Sequence, residues 1–246
     1  MTRIFHVSDV HFGTEDRAAL AWFAGTVAAE RPDLVLLTGD LTARARTSEF
    51  AAASDWLDGL GAPVRIEPGN HDLPVLRPLQ RLFRPYRQIE RLAARFHKPL
   101  ELPHVTLVSL KTTARAQLRS NWSLGNVSVP ALRLALAGLS QHDPSKLALV
   151  SCHHPLIDAD TRTRGRTRGG AAALAALAEA GADAVCTGHV HDPFDQVWEA
   201  GARPVRLIGA GTLSERVRAT PPSFNLLTVG PGRALDVTVR TMDVTR

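Results

Sequence analysis

Cysteine and lysine are scarce in this chain. Its 246 residues include only Cys152 and Cys186, too few for a disulfide framework, and each falls in an apolar stretch where a thiol serves as a small core hydrophobe. Lys98, Lys111 and Lys146 are the only lysines among 29 basic residues, so the positive charge is nearly all guanidinium, which suits bidentate phosphate contacts. No long block of one charge sign occurs. With 24 acidic residues dispersed among the basic ones, the net charge of +5 does not by itself call for a nucleic-acid partner. Nowhere do 18 apolar residues run together, and the opening MTRIFHVSD lacks a basic region followed by an apolar run and a cleavage site. The expected location is therefore the cytoplasm, with no membrane partner. Internal repeats and Gly/Ser linkers are also missing, so one domain is expected over residues 1–246.

What is present alternates. RIFHVSD reads as a strand, DRAALAWFAGTVAAE has apolar residues at helical spacing, and DLVLLTGD is a second buried strand, together a βαβ unit. TSEFAAASDWLDGL reads as a helix, PVRIEPGNHD as a strand, and PLQRLFRPYRQIERLAARF as a helical excursion interrupted at Pro85. HVTLVSL and WSLGNVSV read as adjacent strands, before a helix with Pro130 in its first turn. KLALVSCHH and ADAVCTGHVH are strands on either side of an alanine-rich helix, and the last forty residues are mostly strand. The fold class expected is α/β, two mixed β-sheets packed as a sandwich and covered by helices.

Residues able to bind metal collect where these strands end. Asp9 and His11 follow the first, Asp40 the second, Asn70 and His71 the third, His153 and His154 a later one, and His189 and His191 the next. The C-terminal strand edge is where open α/β sheets build their sites. Each pair alone is ordinary turn chemistry. Jointly they supply oxygen and imidazole donors for two cations without needing thiolate.

In that order DVH, GDLTAR, GNHD, CHHP and GHVH resemble the five signature blocks of the calcineurin-like metallophosphoesterase superfamily. The resemblance implies a four-layer α/β/β/α sandwich with two divalent transition-metal ions, commonly Mn, Fe or Zn. It also implies Asp9, His11 and His191 on one ion, Asn70, His153 and His189 on the other, and Asp40 as a bridge. Two cations about 3.5–4 Å apart can hold a hydroxide nucleophile and polarise a phosphoryl oxygen. His71 matches the family's non-ligand histidine, which stabilises the phosphoryl group or protonates the leaving oxygen. Adjacent strand residues face opposite ways, so one of His153 and His154 ligates; the family register favours His153 and leaves His154 behind it or against substrate.

Departures from the pattern narrow the substrate. Ala43 stands where the phosphoprotein phosphatases have an aspartate, although Arg44 remains as a candidate substrate contact, and GNHD differs from the GNRD of the UDP-diacylglucosamine hydrolases. The nearest resemblance is to the cyclic-nucleotide phosphodiesterase and glycerophosphodiesterase branch. It implies a small phosphodiester as substrate, such as a cyclic nucleotide or glycerophosphodiester; nucleic acid is not favoured, and a homo-oligomer is left open. Arg162, Arg164, Arg166 and Arg168 in TRTRGRTRGG either grip an acidic group of the substrate or belong to a solvated loop. A phosphomonoesterase, a nuclease and a scaffold without turnover are the competing readings; the scaffold has no need of the whole ligand set.

Overall fold

The structure, a computed structural model, describes residues 1–75, 77–116, 121, 123–161, 167–199 and 203–243. Strands β1 (Thr2–Val7), β2 (Leu34–Leu37) and β3 (Val64–Ile66) pair in parallel, because α1 (Arg17–Glu30) and α2 (Thr47–Gly59) carry the chain back between them. The antiparallel strands β9 (Ser223–Val229) and β10 (Leu235–Thr241) extend the opposite side, giving the order β10-β9-β1-β2-β3.

The second sheet contains β4 (Val105–Ser109), β5 (Leu147–Ser151), β6 (Ala184–Thr187), β7 (Phe194–Trp198) and β8 (Val205–Gly209), in the order β4-β5-β6-β8-β7. Its interior strands are parallel and β7 is antiparallel at one edge.

Alternation along the strands builds the layers. Ile4, Leu34 and Leu36 face the other sheet, where they meet Leu147, Leu149, Ala184, Cys186 and Ile208. Their neighbours Phe5, Val7, Val35 and Leu37 face outward onto α1 and α2 through Phe23, Val27, Phe50 and Leu57. On the far side Val150 and Val185 pack against α5 (Val129–Ser140) and α6 (Gly170–Glu179) through Leu139, Leu174 and Leu177. The result is helix, sheet, sheet, helix, the expected architecture. Burial on both faces explains why β2, β5 and β6 read as unbroken apolar runs.

Pro85 separates α3 (Pro78–Phe83) from α4 (Arg87–Phe96), as its position required. Among its described residues, the expected strand in WSLGNVSV does not form. Its described residues make one isolated bridge, Asn126 to Arg168, and their N–H groups go instead to Thr112 and Arg168 carbonyls at 2.8 and 2.9 Å. The segment is a loop hydrogen-bonded to Thr112 and Arg168, and its last residue, Val129, opens α5. Trp122 lies outside the described residues.

His6, fully buried on β1, takes part in a side-chain network through which Asn225 of the first sheet reaches the second. The Asn225 amide donates to the Gly209 carbonyl at 2.9 Å and lies 3.3 Å from His6 Nδ1, while His6 Nε2 lies 3.0 Å from Thr38 Oγ1. Neutral imidazole satisfies this set, and burial pushes His6 down to about 3. The unfolded chain therefore takes up this proton first. The stabilisation is complete above the unfolded value near 6.5 and is lost as pH falls from there toward 3, a loss of about 2 kcal/mol by pH 5. Denaturant unfolding at pH 7 and pH 5 should show that loss, and His6→Gln should shrink the difference. An unchanged difference in the variant would place the pH dependence elsewhere.

Candidate metal centre

The ends of β1, β2, β3, β5 and β6 meet at one edge of the sandwich and bring together the side chains that follow them. Among the described residues, four groups have ligand atoms within 4.8 Å of one another: Asp9, His11 and His191; Asp9, Asp40 and His153; His11, Asp40 and His71; and His153, His154 and His189. Shared members join these into one cluster. Asn70 belongs to it as well, with Oδ1 3.2 Å from Nε2 of both His153 and His154.

The backbone departs from strand geometry to aim these groups. Asp9, His11, Asp40, His189 and His191 all have φ between +51° and +71°, a region that costs a residue with a Cβ energy and that concentrates at functional sites. The turns place N–H groups on the carboxylates. His189 N donates to Asp9 Oδ2 at 2.7 Å, and His71 N donates to Asp40 Oδ1 at 2.8 Å. The glycines preceding the ligands are needed for close approach: a Cβ on Gly69 would overlap the backbone and carboxylate of Asp40, and one on Gly188 would overlap Ser8 and come within 2.7 Å of Asp9 Oδ2.

Backbone carbonyls orient three of the rings. Nδ1 of His153 lies 2.7 Å from Thr38 O, Nδ1 of His191 lies 2.9 Å from Arg216 O, and Nδ1 of His71 lies 2.7 Å from Ala43 O. A carbonyl only accepts, so each Nδ1 carries its proton and each Nε2 is left for a second proton or a metal.

His153 Nε2 stands 3.4 Å from Asp40 Oδ2. His191 Nε2 stands 3.1 Å from Asp9 Oδ1 and 3.2 Å from His11 Nε2. Asp9 Oδ1 is buried and makes no hydrogen bond among the described residues, despite these nitrogens beside it. An orphaned carboxylate oxygen facing two imidazole nitrogens fits a shared cation, and the oxygen and nitrogen donors suit a divalent transition metal.

The electrostatics agree. Burial opposes charge on Asp9 and Asp40. Even so, His191 and His11 hold Asp9, and His153 and His71 hold Asp40, well below the usual carboxylate range. Burial likewise opposes charge on His153, yet the Asp40 carboxylate pushes it up to about 9, and Asp9 raises His191 in the same way. Burial and the charge of His153 push His189 down to about 4. The cluster is thus two anions that demand positive charge between them.

All seven expected ligands and His71 are therefore neighbours. Arg44 is not in the cluster: its N–H goes to Glu49 Oε2 at 2.8 Å and its side chain is exposed along a 390 Å³ groove with Arg46 and Arg77. Arg168 is exposed, with backbone bonds to Gly125 and Val127; Arg162, Arg164 and Arg166 lie outside the described residues. Sequence reasoning missed Asp72, which accepts from Gly69 N, Thr42 N and Thr42 Oγ1 at 2.9, 2.9 and 3.0 Å. Burial and nearby Asp40 push its carboxyl up to about 6. Its signal was the last letter of GNHD. It also missed Thr212, whose hydroxyl donates to Asp9 O at 2.6 Å from a segment with no motif.

The family model described as calcineurin-like phosphoesterase matches residues 2–193. A probable cyclic nucleotide phosphodiesterase of Synechococcus sp. is 32% identical over 80 residues, covering 29% of this chain and 31% of that protein. The glycerophosphodiester phosphodiesterase GpdQ of Enterobacter lignolyticus is 33% identical over 90 residues, covering 30% of this chain and 32% of that one. The match thus spans about a third of each curated relative. A crystal structure of a dimetal phosphatase from Danio rerio shares the fold, with a TM-score of 0.66 at 16% identity over 98% of both chains.

Substituting the packed glycines tests this construction. Gly69→Ala and Gly188→Ala should each cost about 1–3 kcal/mol by overpacking and disturb the cluster. Gly25→Ala, in α1 with nothing within 4 Å of the new methyl, should be neutral or stabilising by about 0.5–1 kcal/mol. Thermal unfolding of the three variants gives the comparison. Equal effects at all three positions would mean that close approach is not why those glycines are there.

Proposed function

The chain belongs to the calcineurin-like phosphoesterase family, and on that premise we propose that it is a dinuclear-metal phosphoric ester hydrolase acting on small phosphodiesters, carried by one domain over residues 1–246. In this reading Asp9, His11 and His191 hold one cation, Asn70, His153 and His189 hold the second, and Asp40 is shared. The carrying observation is the pair of carbonyl-locked rings: with Nδ1 of His153 and His191 committed to Thr38 and Arg216, their Nε2 atoms confront Asp40 and Asp9. Asp40 Oδ2 lies 3.4 Å from His153 Nε2 and 3.8 Å from His11 Nε2, so one oxygen serves both halves. Bound there, Mn, Fe or Zn supplies Lewis acidity toward phosphoryl oxygens and acidifies water.

The chain's own residues do the rest. His71 is held by Ala43 O through Nδ1 and by Asp40 Oδ1 through its backbone N–H. As an imidazolium it donates from Nε2 to a phosphoryl oxygen, or gives that proton to the departing alkoxide. Arg44 contacts the outer part of the substrate, beyond the reacting phosphorus. The preference for diesters draws support from the matched relatives, whose names are those of diesterases. A monoanionic diester needs little beyond the cations and His71, whereas a dianionic monoester profits from additional guanidinium clamps.

Elemental analysis of the purified protein should give two transition-metal ions per chain; a saturating value of one with full activity would count against the shared-carboxylate reading. Asp40→Ala should lose metal together with activity, while His71→Ala should keep its metal and lose about 10²- to 10³-fold in turnover. Loss of metal from His71→Ala would make it a ligand instead.

With saturating Mn, kcat/KM for bis-p-nitrophenyl phosphate should equal or exceed that for p-nitrophenyl phosphate at matched pH. A ratio far below one would replace the diesterase with a monoesterase.

A further inference from the structure

We propose that Thr112 is a positioning residue of this centre: its hydroxyl fixes the tautomer of His154, whose Nε2–H then turns the side-chain oxygen of Asn70 toward His153. The proposal rests on the metal-centre reading above and extends it to residues outside the ligand set.

Thr112 follows β4 and is 1% exposed. Its Oγ1 lies 3.1 Å from the backbone nitrogen of His154 and 2.9 Å from Nδ1 of the same residue. The backbone N–H can only donate, so it occupies a lone pair of the hydroxyl. The hydroxyl hydrogen, cut off from solvent, goes to Nδ1, because an unsatisfied buried donor costs about 1–3 kcal/mol. Nδ1 therefore accepts, and the proton of the neutral ring sits on Nε2. There it meets Ser123 O at 2.9 Å and Asn70 Oδ1 at 3.2 Å, two acceptors that have no proton to offer in return.

Neighbouring histidines thus hold opposite tautomers. His153 carries its proton on Nδ1, toward Thr38 O, and presents an Nε2 electron pair. His154 carries its proton on Nε2 and has no electron pair there for a metal. Asn70 Oδ1 lies between them, 3.2 Å from each Nε2. Receiving the proton of His154, Oδ1 is fixed inward and the amide nitrogen outward. Oδ1 and His153 Nε2 then bring two electron pairs to one place, the arrangement a cation bridges. With the Thr112 hydroxyl the Nε2–H tautomer is held from both ends of the ring; without it only Ser123 O and Asn70 Oδ1 at Nε2 oppose the other tautomer, and Nδ1 no longer does. Partners of this kind behind the ligands typically contribute about 10- to 100-fold in metal affinity.

The test has one arm without metal and one with it. Long-range ¹H–¹⁵N correlation spectra of the metal-free protein should show His154 protonated at Nε2 and unprotonated at Nδ1; the reverse pattern overturns the proposal. In metal titrations Thr112→Val should weaken one of the two ions about 10- to 100-fold and leave the other near its original affinity, while Thr112→Ser restores both. Unchanged binding in Thr112→Val, or a Thr112→Ser protein as defective as Thr112→Val, also overturns it. If Thr112→Val does not fold, the spectrum of the unaltered chain and the serine variant still decide. A chain that binds no metal at all sinks the metal-centre reading instead, and the two failures are told apart because the tautomer is read without metal.

Discussion

Asp9 and Asp40 lie 0% and 1% exposed, where an uncompensated carboxylate would cost at least several kcal/mol, so the surrounding groups must answer their charge. The neighbourhood is built to that demand. One oxygen of each accepts a backbone N–H, from His189 and His71, and the other faces imidazole nitrogens. The left-handed backbone at five of these positions follows from the same need, since an extended chain would carry alternate side chains away from the focus. The packing around these turns leaves no room for a Cβ at 69, against the backbone and carboxylate of Asp40, or at 188, against the side chains of Ser8 and Asp9.

Two further buried acids hold the edge on which the cluster sits. Glu67, just past β3, accepts from Ser109 Oγ at 2.5 Å and from Ser151 Oγ at 2.6 Å, at the ends of β4 and β5. It fastens the first sheet to the second at the rim where their strands deliver the ligands. Burial raises its pKa, and the two serine hydroxyls oppose that rise. Asp72 acts within one sheet, tying the turn after β2 to the turn after β3 through Thr42 and Gly69. The site is thereby braced across both directions of the sandwich before any ligand is considered.

The layered fold was readable because its signals are periodic or local. Apolar runs such as LVLL and LALVS mark strands covered on both faces, and helix-spaced residues mark what covers them. The cluster was readable because every member closes a strand, and the C-terminal edge of parallel strands gathers such residues regardless of their separation in sequence. WSLGNVSV misled for a related reason: β-branched alternation fits a pleated surface, but among the described residues no neighbouring strand offers this segment a ladder, and loop carbonyls take its N–H groups. The loop arginines gave charge without place. Arg44 and Arg168 are exposed, and their type alone carried no information about distance from the cluster.

The least legible contributions come from the main chain, and His71 shows what that means for inference. Ala43 removes a carboxylate that could have oriented this ring, so a comparison of side chains alone counts the position as a loss. The fold fills the role differently, with the Ala43 carbonyl 2.7 Å from Nδ1. The carbonyls of Thr38 and Arg216 do the same for His153 and His191. A neutral acceptor fixes a tautomer as well as a charged one while adding no negative charge to a cluster that already holds two carboxylates. The acceptor is a main-chain carbonyl that every residue carries, so it does not depend on the alanine side chain, provided the turn survives. The constraint therefore passes from that residue's identity to what shapes the turn, the Thr42 to Asp72 bonds and the pairing of Phe12 with Thr42.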